Sequence, residues 1–285
     1  MSRTRSQYLK YKMNKDVEKQ LEDLFLQALH EPAYRAEFLE KLMSAHIYFP
    51  GTTGRSDVSQ IQESYLDENT PVQIKSWPNE AYGQIIPFFT SLEKMRLALN
   101  PDEKFICMPC NVFFAMTQGS LLILNPESDA TKEFTPEEIL QLLAGNNSDQ
   151  TESYTVEEDT QVMVEQPEQR PDFLLDQLSK SLSQYPEVDS AYFAQMYNSA
   201  KDQTPSFVIG LLFGDVLETE KLNRLHSMIG QVANDSLELK TSIDLLHIDP
   251  QQGDEGLHHY FLNETEAFYV RQKPQKRGLF AKLFS

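Results

Sequence analysis

Hydrophobic positions near the start of the chain recur at the 3.6-residue spacing of an amphipathic helix. The spacing begins after Asn14, a residue type that caps helix N-termini, so a helix is predicted to start there. The apolar positions of this predicted helix are Val17, Leu21, Leu24, Phe25 and Ala28. A second helix is predicted after Pro32, which suits a first helical turn, with Phe38 and Leu42 on one face.

Short β-prone runs follow between residues 46 and 124, each bounded by turn-forming residues. The predicted strands are residues 46–49, 72–76, 84–89, 104–108 and 121–124. The first strand is expected to stop at Pro50-Gly51, and residues 51–70 are expected to form a loop. Helices are predicted between the later strands, with Thr90, Asn111 and Thr135 as their N-terminal caps. Thr90 and Thr135 also have a glutamate three residues later, as in a capping box.

The pattern changes at residues 146–160, which are polar, acidic and without apolar period, and which are therefore a predicted linker. Beyond them, residues 188–197 and 206–213 are β-prone runs that predict a hairpin. Helices are predicted through Leu178 and Ile229, and further strands at residues 241–248 and 267–270. The sequence thus predicts an α+β fold, with two domains of interleaved helices and mixed or antiparallel strands. The predicted organisation is a basic arm over residues 1–15, domains over 16–145 and 161–270, the linker 146–160, and a basic amphipathic tail over 271–285.

Charge narrows the possible partners. The net charge is −18, and the ten bases of residues 1–15 and 271–285 face no acid within those segments. Residues 16–270 therefore carry 15 Lys and Arg against 43 Asp and Glu, a net charge of −28. Such a body repels a phosphate backbone, so no nucleic-acid partner is expected. No apolar run reaches the ~20 residues of a membrane span, and the first 16 residues lack the apolar stretch of a secretory signal. With two cysteines, no disulfide framework is expected either, and the predicted location is the cytoplasm.

The pair Cys107 and Cys110 is the one constellation with chemical character. A Cys-x-x-Cys at a helix N-terminus can hold a low-pKa thiolate, which makes a thiol-redox protein an alternative hypothesis. However, Cys107 falls inside a predicted strand, and zinc would need two more ligands at suitable spacing. We therefore interpret both cysteines as structural.

Histidines and other motifs add little. In the predicted strand that ends at Ile248, His247 and Asp249 would share a face, a conceivable metal or acid–base pair. Phosphate-binding, dinucleotide-binding, zinc-protease and nucleophile-elbow motifs are absent from the sequence. The sequence consequently predicts no catalytic residue, no cofactor and no metal.

Several segments together resemble the bacterial SseB (enhanced serine sensitivity) family. They are residues 30–42, Tyr48-Phe-Pro-Gly51, Ile86-Pro-Phe-Phe-Thr-Ser-Leu-Glu93, Phe105-Ile-Cys-Met-Pro109, residues 124–126 and 132–139, and, in the second half, Pro205-Ser-Phe-Val-Ile-Gly-Leu-Leu212. The resemblance implies a cytoplasmic bacterial protein linked to serine sensitivity, without an established reaction or catalytic residues. We interpret the chain as a non-enzymatic interaction or regulatory protein. An acidic immunity or adaptor protein that blocks a basic partner is the other alternative.

The C-terminal tail contains the predicted partner-binding residues. Leu279 and Leu283, and Phe280 and Phe284, are each four residues apart, so a helix would gather all four on one face beside basic residues. Burial of four such side chains could contribute about 6–12 kcal/mol before ordering costs, more than the tail's charges could add at an anionic membrane. An unidentified protein partner is therefore expected at the tail, and the oligomeric state is left open.

Overall fold

The structure is a computed structural model that describes residues 3–53, 71–145, 162–198, 205–237, 241–252 and 256–272. The chain divides into two compact units, Met1–Asn147 and Ser148–Ser285. Each unit mixes helices with strands, which confirms the predicted α+β fold and its two-domain layout. The predicted linker 146–160 and the tail residues 273–285 lie outside the described residues.

The first unit, the N-terminal domain, contains five α-helices within its described residues. They are α1 Arg3–His30, α2 Arg35–Ser44, α3 Leu92–Ala98, α4 Cys110–Met116 and α5 Pro136–Leu143, with a 3₁₀ turn at Pro32–Tyr34 before α2. The predicted cap at Asn14 is wrong, because α1 starts eleven residues earlier. Residues 3–13 contain neither proline nor glycine, so nothing in their backbone chemistry stops the helix from continuing through them.

Seven strands of this domain form two sheets. The strands are β1 His46–Thr53, β2 Val72–Ile74, β3 Trp77–Asn79, β4 Gly83–Phe88, β5 Phe105–Pro109, β6 Leu121–Leu124 and β7 Lys132–Phe134. One sheet has the order β2-β1-β5 and is antiparallel throughout. The other has the order β3-β4-β6-β7, in which β4 and β6 are parallel. A single bridge between Tyr48 and Phe89 connects β1 to the residue that follows β4.

The predicted stop of β1 at Pro50-Gly51 is wrong, because β1 continues to Thr53. Pro50 lies opposite Phe105 of β5 and accepts a hydrogen bond at its carbonyl from the Lys75 amide, 3.0 Å away. A Cβ atom at Gly51 would lie 2.7 Å from the Gln73 carbonyl oxygen. The glycine therefore permits close approach of β2 rather than ending the strand.

Aromatic side chains fill the core between these elements. Phe113 of α4 stacks on Phe49 of β1 with ring centroids 4.6 Å apart. Its neighbour Phe114 meets Phe88 of β4 and Phe134 of β7 edge to face, at 5.6 and 5.3 Å. The buried face of α4 thus contacts both sheets and is fixed by packing.

The second unit, the C-terminal domain, has one five-stranded sheet in its described residues. Its elements are β8 Val162–Glu165, α6 Asp172–Leu182, β9 Val188–Asn198, β10 Ser206–Phe213, α7 Thr219–Ser236, β11 Ile243–His247, a 3₁₀ turn at Pro250–Gln252, α8 Gly256–His259, a π-helical turn at Tyr260–Glu264, and β12 Tyr269–Val270. The sheet order is β11-β10-β9-β12, and β8 also pairs with β9. The antiparallel pairing of β9 with β10 confirms the predicted hairpin, and β11 adds to β10 in parallel.

Candidate functional site

Three buried polar residues and one partly buried glutamate form a cluster at the C-terminal ends of β4 and β6, and we call it the Thr90 cluster: Thr90, Ser91, Asn125 and Glu22. Its position follows from the sheet. Because β4 and β6 are parallel and Phe88 lies opposite Leu124, the residues that follow the two strands emerge side by side. Thr90 and Asn125, which are 35 residues apart in sequence, are thereby brought into contact.

Asn125 is the centre of the Thr90 cluster. Its Oδ1 accepts a hydrogen bond from the Thr90 amide at 2.9 Å, and its Nδ2 donates to Thr90 Oγ1 at 3.0 Å. Asn125 has φ 48°, a left-handed conformation that asparagine tolerates better than most residues. It is only 1% exposed, so its amide serves the backbone of the cluster and not a ligand in solvent.

Glu22 ties α1 to this end of the sheet. Its carboxylate accepts hydrogen bonds from Ser91 Oγ at 2.6 Å and from Thr90 Oγ1 at 3.0 Å. One helical turn earlier, Glu18 accepts from the Tyr48 hydroxyl at 2.7 Å. Burial raises the pKa of the Glu18 carboxyl, an effect that the hydrogen bond from Tyr48 opposes and the nearby Glu22 charge reinforces. The carboxylates of α1 thus dock the helix onto the domain.

Ser91, not Thr90, caps α3. Its Oγ accepts a hydrogen bond from the Lys94 amide at 3.2 Å, so the predicted cap at Thr90 is wrong by one residue. The predicted capping box does not form, because the third residue after Ser91 is a lysine. Thr90 is instead held by Asn125 and Glu22. A serine beside a carboxylate could in principle be activated as a nucleophile. Here Ser91 is 4% exposed and engaged as a cap, so this hydroxyl is structural.

The two cysteines occupy different environments. Cys107 lies in β5 opposite Tyr48 and is half-buried, whereas Cys110 is the first residue of α4 and is fully buried. Burial strongly raises the pKa of the Cys110 thiol, which disfavours the thiolate that redox chemistry needs.

The predicted cap at Asn111 is also wrong. The helix starts one residue earlier, and Asn111 Oδ1 accepts from the adjacent Val112 amide.

The conceivable pair of His247 and Asp249, which the sequence analysis did not count as a site, is not formed. Asp249 accepts hydrogen bonds from the Gln251 amide and Gln252 Nε2, which places it at the 3₁₀ turn. His247 lies instead against His226 of α7, with the two Nε2 atoms 2.8 Å apart. Sequence reasoning missed His226, although its place beside Leu225 on the apolar face of α7 was a usable signal. In the described part of the chain, no three side chains of His, Cys, Asp or Glu gather into a metal-binding group.

An uncharged surface lies on α4, whose outward side exposes Val112 and Met116, four residues apart and 45% and 47% exposed. The helix α5 contacts α4 and exposes Leu140. No charged residue occurs between Lys104 and Glu127, in a chain of which 24% of the residues are charged. We call Val112, Ala115 and Met116 the α4 face. The absence of charged residues over 105–126 can be read from the sequence, whereas the exposure of the Val112 and Met116 side chains cannot.

The remaining predicted sites fall beyond the described residues. The predicted partner-binding residues Leu279, Phe280, Leu283 and Phe284 all belong to the undescribed tail. Among the helices that are described, none has the combined length and apolar composition required to cross a membrane.

The chain is a two-domain α+β protein, and each half of its sequence matches a family domain of its own. Residues 22–141 match the SseB protein N-terminal domain, and residues 156–271 match the SseB protein C-terminal domain. The chain belongs to the SseB family. It is 28% identical over 258 residues to Protein SseB of Escherichia coli (strain K12) and to Protein SseB of Shigella flexneri. The aligned residues cover 90% of this chain and 94% of each relative. No solved structure matches the chain.

Proposed function

We propose that this SseB-family protein is a non-enzymatic interaction protein of the bacterial cytoplasm and that it contacts its partner through the α4 face. The exposed, uncharged side of α4 is the observation that supports this proposal. The chain around this side is strongly acidic on balance, since residues 16–270 carry a net charge of −28. An apolar area within such a surface is costly to leave in water and is typical of a docking site.

The packing of α4 favours a rigid contact. Phe113 and Phe114 hold the buried side of the helix against both sheets, so the backbone that carries Val112 and Met116 needs no further ordering. A preorganised backbone loses little conformational entropy on binding. Because these two side chains are about half exposed, burial of each contributes about 1 kcal/mol.

Replacement of Met116 by glutamate tests the proposal. A buried charge at the contact should weaken partner capture by roughly tenfold or more, because 1.4 kcal/mol corresponds to a factor of ten. The matched control is Leu97→Glu on α3, which introduces the same charge at a side chain that is 61% exposed. The measurement is quantitative co-purification from the native cell with mass spectrometry, after both variants show the wild-type melting temperature.

A protein that is captured by the wild type and by Leu97→Glu but lost with Met116→Glu supports the proposal. Identical capture by all three proteins contradicts it. If raised salt removes the partner while Met116→Glu does not, then the acidic surface rather than the α4 face makes the contact.

The tail is a second proposed contact. Deletion of residues 276–285 is expected to lose a partner while the fold and the melting temperature stay unchanged. A melting temperature lowered by several degrees would instead mean that the tail packs on its own protein. Binding of the intact protein, but not of the truncated one, to anionic liposomes would indicate a membrane contact.

A further inference from the structure

The histidine pair of the C-terminal domain is the remaining group of chemically capable side chains. His226 lies on α7, and His247 is the last residue of the edge strand β11. Their ring centroids are 5.0 Å apart, with Nε2 facing Nε2 at 2.8 Å. We propose that His226 and His247 form a chelating site for a divalent transition-metal ion of the Cu²⁺ or Ni²⁺ type.

The surrounding fold orients the His247 ring and brings His226 against it. The helix α7 packs against β11. The rings of Phe213 and His247 pack edge to face, with their centroids 5.1 Å apart and their planes at 85°. His247 is exposed and His226 is half-buried, so the pair lies at the surface and can be approached from solvent. The rest of the coordination sphere can then be filled by water.

The protonation state suits a metal ligand. A hydrogen bond between two Nε2 atoms requires one of them to be an unprotonated acceptor, so at least one ring is neutral. Burial lowers the pKa of both His226 and His247, and the proximity of His247 lowers the pKa of His226 further. Neutral imidazole is the form that binds metal ions, so neither ring has to give up a net proton at neutral pH. The ring that donates the hydrogen bond must shift its proton from Nε2 to Nδ1 before both Nε2 atoms can bind the metal.

The spacing of the nitrogens selects the kind of ion. With metal–nitrogen bonds of about 2.0 Å, two nitrogens separated by 2.8 Å subtend an angle of about 90° at the metal. That is the angle between neighbouring ligands in the square-planar or tetragonal geometry of Cu²⁺ and Ni²⁺. Tetrahedral Zn²⁺ would need a separation of about 3.3 Å. The order of intrinsic affinities, in which Cu²⁺ binds most tightly, points the same way.

Titration of the full chain with Cu²⁺, followed by electron paramagnetic resonance, tests the site. The wild type is expected to bind one ion per chain, with two imidazole nitrogens in the equatorial plane. Either His226→Gln or His247→Gln should weaken this binding by about 100-fold, since the second ligand no longer acts at high effective concentration. A Zn²⁺ titration is expected to show weaker binding than Cu²⁺.

The matched control is His30→Gln, which removes a histidine at the end of α1 in the other domain and should leave the binding unchanged. The readout is spectroscopic and needs no knowledge of the partner, so its failure is separate from failure of the proposed function. The proposal is overturned if the wild type binds no stoichiometric Cu²⁺. It is equally overturned if either variant keeps the wild-type affinity and two nitrogen ligands.

Discussion

The Thr90 cluster of the N-terminal domain and the histidine pair of the C-terminal domain are both polar side-chain groups joined by short hydrogen bonds, but they differ in burial. Thr90, Ser91 and Asn125 are at most 4% exposed and are bonded to one another or to Glu22. His226 and His247 lie at the surface beside an edge strand. Of these two groups, the Thr90 cluster is closed off from solvent and its hydrogen bonds hold elements of the fold together, whereas the histidine pair is accessible to a ligand.

Two of the segments that resemble the SseB family contribute residues to the Thr90 cluster. The segment Ile86-Pro-Phe-Phe-Thr-Ser contains Thr90 and Ser91, and Leu124-Asn-Pro contains Asn125. Both segments thus converge on the Thr90 cluster, where their polar groups join β4, β6 and α1. In this chain, these two segments hold the N-terminal domain together, and the proposed binding face lies elsewhere, on α4.

The largest effect is expected from Asn125→Ala. It leaves the buried Thr90 amide without its acceptor and places alanine at φ 48°, for a combined loss of about 3 kcal/mol in the free energy of unfolding. Asn125→Gly is the matched control, because it loses the same hydrogen bonds without backbone strain and should cost about 1 kcal/mol less. Urea denaturation measures both. Wild-type stability in the alanine variant would mean that the cluster does not hold the domain.

A smaller loss, of about 1–2 kcal/mol, is expected from Glu22→Ala, which removes the acceptor for Ser91 Oγ and Thr90 Oγ1. The neighbouring Asp23→Ala is its control. Asp23 pairs with Lys19 four residues away on the exposed side of α1, and such a pair contributes less than about 0.5 kcal/mol. Equal unfolding free energies for the two variants would contradict the anchoring role of Glu22.

Cys110→Ala is expected to cost about 1 kcal/mol, since it removes one buried sulfur atom from the core. In the folded wild type, the Cys110 thiol should not react with a disulfide reagent at pH 8, because burial raises its pKa. After denaturation both cysteines should react. Rapid labelling of Cys110 in the native protein would restore the thiol-redox alternative.

The smallest effect concerns the pH dependence of the histidine pair. Because the pKa values of His226 and His247 are lowered in the folded state, the unfolded chain binds more protons below pH ~6.5. The free energy of unfolding should therefore fall as the pH drops from about 6.5 toward the lowered values. His247→Gln should flatten this dependence, whereas His30→Gln should keep it. An unchanged slope in His247→Gln would show that the pKa of His247 is not lowered in the folded state.

Much of the fold followed from local sequence patterns. The Thr135 cap, the hairpin of β9 and β10, and most helices and strands obey propensity and periodicity, which act over a few residues. The errors arose where tertiary contacts decide. Pro50-Gly51 is a turn signal that the pairing with β5 and the approach of β2 override, and Asn14 is a cap residue inside a continuous helix.

The sites were harder to predict for the same reason. The contact between Thr90 and Asn125 depends on the parallel pairing of β4 with β6, and the contact of His226 with His247 depends on the packing of α7 on β11. No spacing rule along the chain encodes either contact. The exposure of the α4 face likewise depends on which side of the helix the two sheets cover.

The most direct test of the account compares two double variants, with co-purification of the partner from the native cell as the readout. One variant is Val112→Glu with Met116→Glu, and the other is Cys107→Ala with Cys110→Ala, each first checked for folding. The account predicts that the α4 variant loses the partner and that the cysteine variant keeps it. Undiminished capture of the partner by the α4 variant, together with its loss by the folded cysteine variant, would contradict the account and would assign the contact to the cysteines.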